Sequence, residues 1–272
     1  MPELPEVESY RRLAEGALGR TVTSVRAPDA WYLKGGTTAP VVRRALVGSR
    51  FTAARRIGKL LLVDLAGPGA GGGGRRDGGT HPTLGIRFGM TGTLVVDGSR
   101  GVDQLLYTST RRERAWERFA VGFGDGGSLV VHDPRRLGGV FLDPDTSALG
   151  PDATVVTPAE LRRALSGGGA LKAALLDQSK VAGIGNLIAD ELLWRAGLSP
   201  VRAASSLTPA ELRRLHRHLV GTLGDVMARG GSHLGDVVDE RHVGGRCPKD
   251  GTELVRATVG GRTTWWCPGH QG

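Results

Sequence analysis

Cysteine is scarce in this chain, since only Cys247 and Cys267 occur among 272 residues. Two thiols cannot build the framework of several disulfides that holds small secreted domains together. Long apolar runs are also lacking: no stretch approaches the ~18 residues needed to span a bilayer. The acidic start lacks the charged-then-apolar profile of a secretion signal. We therefore expect a cytoplasmic protein with no membrane partner.

Acidic residues are outnumbered by basic ones. The 27 Asp and Glu face 36 Lys and Arg, giving a formal net charge of +9 with histidine neutral. Such a balance is expected of a chain that meets a polyanion, although a merely basic soluble protein would show it too. The length favours two modest domains, because single hydrophobic cores stop growing near ~250–300 residues. No pattern indicates an oligomer, so we expect a monomer.

The first half of the chain predicts a helix followed by an all-β domain. Residues 3–19 place apolar side chains near one helical face, with acids in the first turn. Short β-branched or apolar runs follow, as in a β-sandwich or barrel: VTSV, RFTAARRI, KLLLVDL, LGIRFGM and TLVVDG. The glycine-rich stretch between Leu65 and Thr80 predicts a flexible hairpin insertion without a catalytic role.

Helical signals take over after Pro151. The segment 157–160 reads Thr-Pro-Ala-Glu, which combines an N-cap, an N1 proline and an N3 acid, and the segment 208–211 repeats it. A helical second domain is therefore expected over about residues 152–231, ending at a Gly-Gly pair. The tail from Val243 predicts a small β-hairpin bracketed by the two cysteines.

The first residues, MPELPEVE, carry a chemical candidate. Proline after an initiator methionine is a context in which the methionine is usually removed, which would leave Pro2 as a secondary amine. An α-amino group has a pKa of ~7.7–8.0 against ~10.4 for lysine, so a useful fraction is neutral at physiological pH. Such an amine can attack C1′ of a nucleotide and form an iminium, with Glu3 and Glu6 as acid/base candidates. Proline and glutamate are also ordinary residues of a helix start.

Five segments in order decide between these interpretations: MPELPEVE, IGKLLLVDL, FGMTGTL, HDPRRLGG and LLDQSKVAGIGNLIADELLWRAGLSP. They resemble the successive signatures of the formamidopyrimidine-DNA glycosylase/endonuclease VIII family and span nearly the whole chain. The resemblance implies a bifunctional DNA glycosylase/AP lyase that excises oxidised bases from duplex DNA and nicks the abasic site. It implies a multidomain α+β chain, with an N-terminal catalytic β-sandwich (1–135), a helix-two-turn-helix domain (152–231) and a zinc-finger-like β-hairpin (243–272).

The resemblance also assigns roles to individual residues. Pro2 corresponds to the nucleophile, Glu3 to the group that protonates the sugar ring oxygen, and Glu6 to a supporting acid near the lesion pocket. Four further residues resemble contacts to DNA phosphates: Lys59, Lys172, Asn186 and Arg262. Solvated cations, or an asparagine that caps a helix, would look the same in the sequence.

Three residues resemble those that fill the space left by an extruded base: Met90, Arg135 and Leu137. Extrusion costs about a few kcal/mol, and an inserted wedge offsets part of that cost. Arg135 would bond the orphaned partner base. Leu137 stands where relatives selective for oxidised guanine usually carry Phe, which leaves the opposite-base preference open.

Two further departures concern the substrate. Arg87 stands where the family commonly has His, and only fifteen residues separate Gly231 from Cys247. That segment is shorter than the one that covers 8-oxoguanine in formamidopyrimidine-type relatives, so we expect a more open pocket. The same chemistry on oxidised pyrimidines, abasic sites or bulky adducts therefore remains an alternative. A non-catalytic DNA-binding homologue is the alternative from another class.

The terminal hairpin departs from the four-thiolate pattern of the family finger. Its two short motifs, Cys-Pro-Lys-Asp and Cys-Pro-Gly-His, keep the Cys-x-x-Cys spacing. Zinc accepts Cys, His and Asp, so we expect one structural Zn²⁺, although His242 could compete and a metal-free hairpin is the alternative. Because the hairpin is too small to bury a core, metal loss should disorder it and misplace Arg262. The expected ligands are Cys247, Asp250, Cys267 and His270.

Overall fold

The computed structural model describes residues 2–67, 81–102, 105, 111 and 113–272. Most of the predicted glycine-rich insertion lies outside these residues. The chain divides into two compact units, of which the first runs from Glu6 to Asp145 and includes Pro2. The second comprises Thr146–Gly272 together with Glu3–Pro5. The first unit thus continues ten residues past the boundary expected at position 135, because one more strand joins its sheets.

The described part of the first unit contains two helices and nine strands. The helices are α1 (Leu4–Glu15) and α2 (Ala39–Leu46). The strands are β1 (Val22–Arg26), β2 (Arg50–Ile57), β3 (Leu60–Ala66), β4 (Thr83–Arg87), β5 (Thr93–Val96), β6 (Ser99–Arg100), β7 (Glu117–Phe123), β8 (Ser128–His132) and β9 (Gly139–Leu142).

These strands form two antiparallel sheets, in the orders β1-β7-β8-β5-β6 and β2-β3-β4-β9. Strand β3 lies between two neighbours, and all of its leucine and valine side chains are buried. Phe51 of one sheet meets Phe123 of the other edge to face, with ring centroids 5.4 Å apart. One hydrophobic core therefore joins both sheets, and the predicted β-sandwich is confirmed.

Helix α1 is one turn shorter than the predicted span of residues 3–19. Its regular part ends at Glu15, and Gly16 and Ala17 close tighter i→i+3 bonds to Leu13 and Ala14. Glycine disfavours continued helix because it loses the most conformational entropy. The prediction missed α2, although Pro40 in its first turn is a local start signal.

The second unit contains four helices and a two-stranded hairpin: α3 (Pro158–Ala164), α4 (Leu171–Leu176), α5 (Asn186–Ala196), α6 (Pro209–Arg229), β10 (Val255–Val259) and β11 (Arg262–Trp266). Both predicted capping boxes are formed, at Thr157 and Thr208. Gly260 and Gly261 turn the hairpin with φ of +57° and +71°, the left-handed pair that a type I′ turn needs. Among the described residues, no helix is long and apolar enough to cross a membrane.

Candidate active site and metal centre

Glu3 caps the N-terminus of α5 in the second unit. Its side chain is fully buried. The backbone N–H of Leu187 donates to Oε1 at 2.8 Å, and that of Ile188 donates to Oε2 at 3.1 Å. The first amides of a helix lack intrahelical acceptors and carry partial positive charge. The carboxylate therefore satisfies two of these donors and is held in one orientation.

The glycines that precede α5 make room for this N-terminal segment. A Cβ at Gly185 would lie 2.1 Å from Cδ of Glu3. A Cβ at Gly183, whose φ is +117°, would lie 2.4 Å from Cδ1 of Leu4. Glycines at such a turn also let the backbone approach a ligand closely. In the structure their small size makes room for Glu3 and Leu4.

Lys172 lies inside the second unit, with a fully buried side chain. Its Nζ is 2.6 Å from Oδ1 of Asp190, and it donates to the Thr263 carbonyl (3.2 Å) and to Oγ1 of Thr264 (2.8 Å). Burial lowers the pKa of Lys172, whereas Asp190 opposes that shift. This lysine therefore joins α4 and α5 to β11, and its expected contact with phosphate stays a prediction.

Asn186 meets the same carbonyl of the hairpin. Its Nδ2 donates to the Thr263 oxygen at 3.1 Å. Its Oδ1 is buried and has no hydrogen-bond partner among the residues that the structure describes. Arg262, the next residue back along β11, is exposed. The structure thus brings four of the predicted residues together around the start of α5 and β11: Glu3, Lys172, Asn186 and Arg262.

In the first unit, Asp133 organises the loop that carries Arg135 and Leu137. This buried carboxylate accepts from Oγ1 of Thr91 (2.6 Å) and from the backbone N–H groups of Arg135 (3.2 Å) and Gly138 (2.8 Å). The sequence analysis missed Asp133. Its signal is the Asp-Pro pair at the start of a loop, where aspartate bonds the backbone that follows.

The loop with Met90 packs against the same segment. A Cβ at Gly89, whose φ is +59°, would lie 2.4 Å from the carbonyl carbon of Leu137. Met90 is half-buried, Arg135 is exposed, and Leu137 is 49% exposed. The three residues predicted to replace an extruded base therefore lie on two loops in direct contact.

The other three residues predicted in the first unit are Pro2, Glu6 and Lys59, and they differ in burial. Glu6 is buried on α1, and Lys59 is half-buried in the turn between β2 and β3. Pro2 is buried. Tyr10, one turn after Glu6, donates to the Gly92 carbonyl at 3.3 Å. Burial raises the pKa of Tyr10, and the nearby Glu6 carboxylate adds to that rise.

The terminal hairpin gathers the four expected metal ligands, whose donor atoms all lie within 4.8 Å of one another: Cys247, Asp250, Cys267 and His270. Measured separations are 3.4 Å from Cys247 Sγ to His270 Nδ1, and 3.4 Å from Cys267 Sγ to Asp250 Oδ2. A tetrahedron with zinc bonds of ~2.0–2.3 Å has edges of about 3.3–3.8 Å. The donor set therefore fits one Zn²⁺. The group does not include His242.

Neighbouring groups orient these ligands. His270 Nε2 lies 2.9 Å from the Trp194 carbonyl, which leaves Nδ1 as the ring atom beside the thiols. The indole N–H of Trp194 donates to Cys247 Sγ at 3.3 Å. The Thr252 amide lowers the pKa of Asp250 to about 2, so that carboxyl is ionised at neutral pH. Such partners fix tautomer and orientation in metal sites.

Known proteins resemble this chain over its full length. Residues 1–140 match the profile of the formamidopyrimidine-DNA glycosylase N-terminal domain, and residues 148–237 match the profile of its H2TH domain. A formamidopyrimidine-DNA glycosylase of Thermus thermophilus is 35% identical over 300 residues, covering 100% of this chain and 99% of its own. That of Chloroflexus aggregans is 33% identical over 292 residues, 98% of each chain.

Solved structures agree with this likeness. The complex between Lactococcus lactis Fpg and an abasic site containing DNA is 25% identical with a TM-score of 0.79, covering 99% of both chains. A mutant of the same protein with a Fapy-dG containing DNA is 25% identical with a TM-score of 0.80, again over 99% of both chains. Sequence and structure comparisons therefore point to one group of proteins.

Proposed function

Because the chain belongs to the formamidopyrimidine-DNA glycosylase family, it is a base-excision enzyme of damaged DNA, and we propose that it works through Pro2. The observation that carries this proposal is the seat of Glu3 on the amides of Leu187 and Ile188. Pro2 is bonded to Glu3, so fixing Glu3 also restrains the residue that bears the amine.

In the proposed reaction the neutral amine of Pro2, freed by removal of the initiator methionine, attacks C1′ of the damaged nucleotide. The new N–C1′ bond replaces the glycosidic bond, and the base leaves with a proton. Glu3 gives a proton to the sugar ring oxygen as the ring opens and the iminium forms. Loss of a C2′ proton expels the 3′ phosphate, a second elimination expels the 5′ phosphate, and water releases the sugar fragment. We assign Glu6 a supporting role as an acid.

Phosphate binding is proposed for Lys59, Asn186 and Arg262. Arg262 is exposed, and the carbonyl of the next residue, Thr263, is held by Lys172 and Asn186. This position supports a contact between Arg262 and phosphate. The unpartnered Oδ1 of Asn186 is an acceptor, so Asn186 meets phosphate only through its amide donors. The buried ion pair of Lys172 with Asp190 favours an indirect contribution, in which Lys172 positions the hairpin.

For the metal, we propose one structural zinc on the four donors of the terminal hairpin. Bound zinc would cross-link the two short motifs and stabilise the end of the hairpin that carries them. The carboxylate of Asp250 and the imidazole of His270 replace two thiolates of the family pattern. We also propose that the enzyme acts in the cytoplasm, as the compartment of the DNA it repairs.

The segment from 232 to 246 favours a second substrate class beside oxidised purines. Instead of extending as a long loop, it is pinned to α5: Val237 donates its N–H to Glu191 (3.0 Å), and Arg241 pairs with Asp190 (2.8 Å). A short, anchored segment has little chain left to cover an extruded base. Abasic sites, oxidised pyrimidines or bulkier adducts are the candidates that such an open pocket accepts.

A panel of duplexes tests both parts of this proposal. Duplexes with 8-oxoguanine, a formamidopyrimidine, an oxidised pyrimidine or an abasic site would be scored for base release and strand nicking. We expect nicking of the abasic duplex and covalent trapping by borohydride, because an iminium is reducible. Pro2→Gly should abolish most trapping. Wild-type protein that binds the abasic duplex but neither nicks nor traps would support the non-catalytic alternative.

A further inference from the structure

A cavity of about 600 Å³ opens in the first unit beside the loop that carries Arg135 and Leu137. Its walls include four arginines and two carboxylates: Arg26, Arg114, Arg118, Arg136, Asp29 and Glu117. Trp31 also lines it, with 67% of its surface exposed. No catalytic or metal role described above uses this cavity.

Trp31 is held as an open aromatic platform. The carboxylate of Asp29 accepts from the Trp31 backbone N–H at 3.1 Å and caps the short 3-10 turn of Ala30–Tyr32. The Lys34 ammonium lies 4.1 Å from the centroid of the indole, over one face. The exposed remainder of the ring is available for a planar group.

The same Asp29 ties this platform to the neighbouring loop. It accepts two hydrogen bonds from Arg136, at 2.7 and 2.8 Å, and lies 3.6 Å from Arg118. Arg136 has a φ of +57°, which a non-glycine residue rarely adopts. Arg118 in turn donates to the Asp133 carbonyl at 2.8 Å. The cavity and the loop of Arg135 are therefore one connected structure.

The charges of the cavity favour an anion. Glu117 pairs with Arg26, and Asp29 pairs with Arg136. Among the described residues, no carboxylate pairs with Arg114. Positive charge thus exceeds negative charge next to an aromatic ring, a combination that suits a nucleotide, whose phosphate is anionic and whose base has a π face.

We propose that this cavity holds one nucleotide of the undamaged DNA strand, with its base against Trp31 and its phosphate at Arg114. The proposal rests on the proposed function, because it places the site beside the loop assigned to the orphaned base. The orphaned base belongs to the undamaged strand, so a site beside the loop of Arg135 would meet that strand. The contact would add affinity for the strand opposite the lesion and takes no part in bond breaking.

The experiment uses full-length protein and duplexes with a tetrahydrofuran abasic analogue. A 2-aminopurine is placed in turn at each position of the undamaged strand near the analogue, and its fluorescence is followed on protein binding. At one position we expect a fluorescence change that is lost in Trp31→Ala and kept in Trp31→Phe. Stacking on an aromatic side chain predicts a roughly 5- to 150-fold weaker Kd for Trp31→Ala.

Arg114→Ala should lower the slope of log K against log salt by about one contact. The matched control is Arg162→Ala, because Arg162 is an exposed arginine on α3. It should change neither the Kd for the duplex nor the 2-aminopurine fluorescence. Equal affinities and signals in wild type and Trp31→Ala, or a Trp31-dependent signal only in the damaged strand, would overturn the proposal. Borohydride trapping of the wild type on a true abasic duplex reports separately whether the proposed function holds.

Discussion

Gly185→Ala tests whether strand nicking needs the seat of Glu3, by which we mean its two hydrogen bonds to the backbone amides of Leu187 and Ile188. The new Cβ would lie 2.1 Å from Glu3 Cδ and 2.4 Å from Oε2, closer than the 3.0 Å below which real contacts essentially do not occur. Glu3 is fully buried, so its carboxylate has no open path to solvent. The substitution must therefore push Glu3 off the amides of Leu187 and Ile188.

The two hydrogen bonds set the scale of the effect. Each joins a carboxylate to a backbone N–H, and hydrogen bonds to charged groups contribute about 1.5–3 kcal/mol. Loss of both predicts a free energy of unfolding of the second unit lower by about 3–6 kcal/mol. Because a displacement of ~1 Å can slow a reaction about 100-fold, nicking of an abasic duplex should fall by at least that order.

Single-turnover nicking and thermal unfolding measure the two effects. Gly168→Ala is the matched control, because a Cβ there meets nothing within 4 Å. Glu3→Gln removes the acid with little change of side-chain shape. Its amide oxygen can still accept from one of the two backbone N–H groups, whereas its NH2 group cannot accept from the other. Glu3→Gln should therefore lose nicking while losing less stability than Gly185→Ala. Wild-type nicking and unaltered stability in Gly185→Ala would refute the assigned role of the Glu3 seat.

Further outcomes follow from other residues. Purified protein should carry about one zinc, and Cys267→Ser should release it, as elemental analysis would show. Arg262→Ala should reduce the salt slope of DNA binding by about one, whereas an unchanged slope would mean that Arg262 does not meet phosphate. Thr208→Ala should destabilise α6 by about 1 kcal/mol through loss of the cap, seen as faster amide exchange in its first turn. Arg202 and the Thr208 amide lower the pKa of Glu211 from 4.5 to about 2. Its stabilising contribution is therefore fully present above pH 4.5 and lost as the pH falls toward 2, and Glu211→Gln should remove that part of the acid sensitivity.

The sequence predicted those helices and strands whose signals lie within a few neighbouring residues. Helices α3 and α6 begin directly after Thr157 and Thr208, because capping needs only residues within one turn of each other. Strand β2 occupies the RFTAARRI run that its β-branched and apolar residues indicated. Helix α2 was missed since it is only eight residues long and has no acid in its first turn.

The candidate site shows the same difference between local and distant signals. The identities of Pro2, Glu3 and the metal ligands came from motifs that are contiguous in the sequence. The groups that hold Lys172 and the loop of Arg135 in place did not. Asp190 pairs with Lys172 across eighteen positions, and the Asp133 carboxylate reaches Thr91 across forty-two. Neither pairing leaves a periodic or compositional trace, because it depends on how distant elements pack.

The terminal hairpin is held at both ends, which changes what the metal must do. The sequence alone suggested that loss of the ion would disorder the hairpin and misplace Arg262. The Arg262 end, however, has anchors that need no metal: Lys172 and Asn186 hold the Thr263 carbonyl, and Asp190 accepts from the Trp265 N–H at 3.4 Å. The metal donors instead join the other end of the hairpin, beside Trp194. A donor set with two thiolates in place of four can therefore suffice, because the position of Arg262 depends on α4 and α5 as well as on the ion.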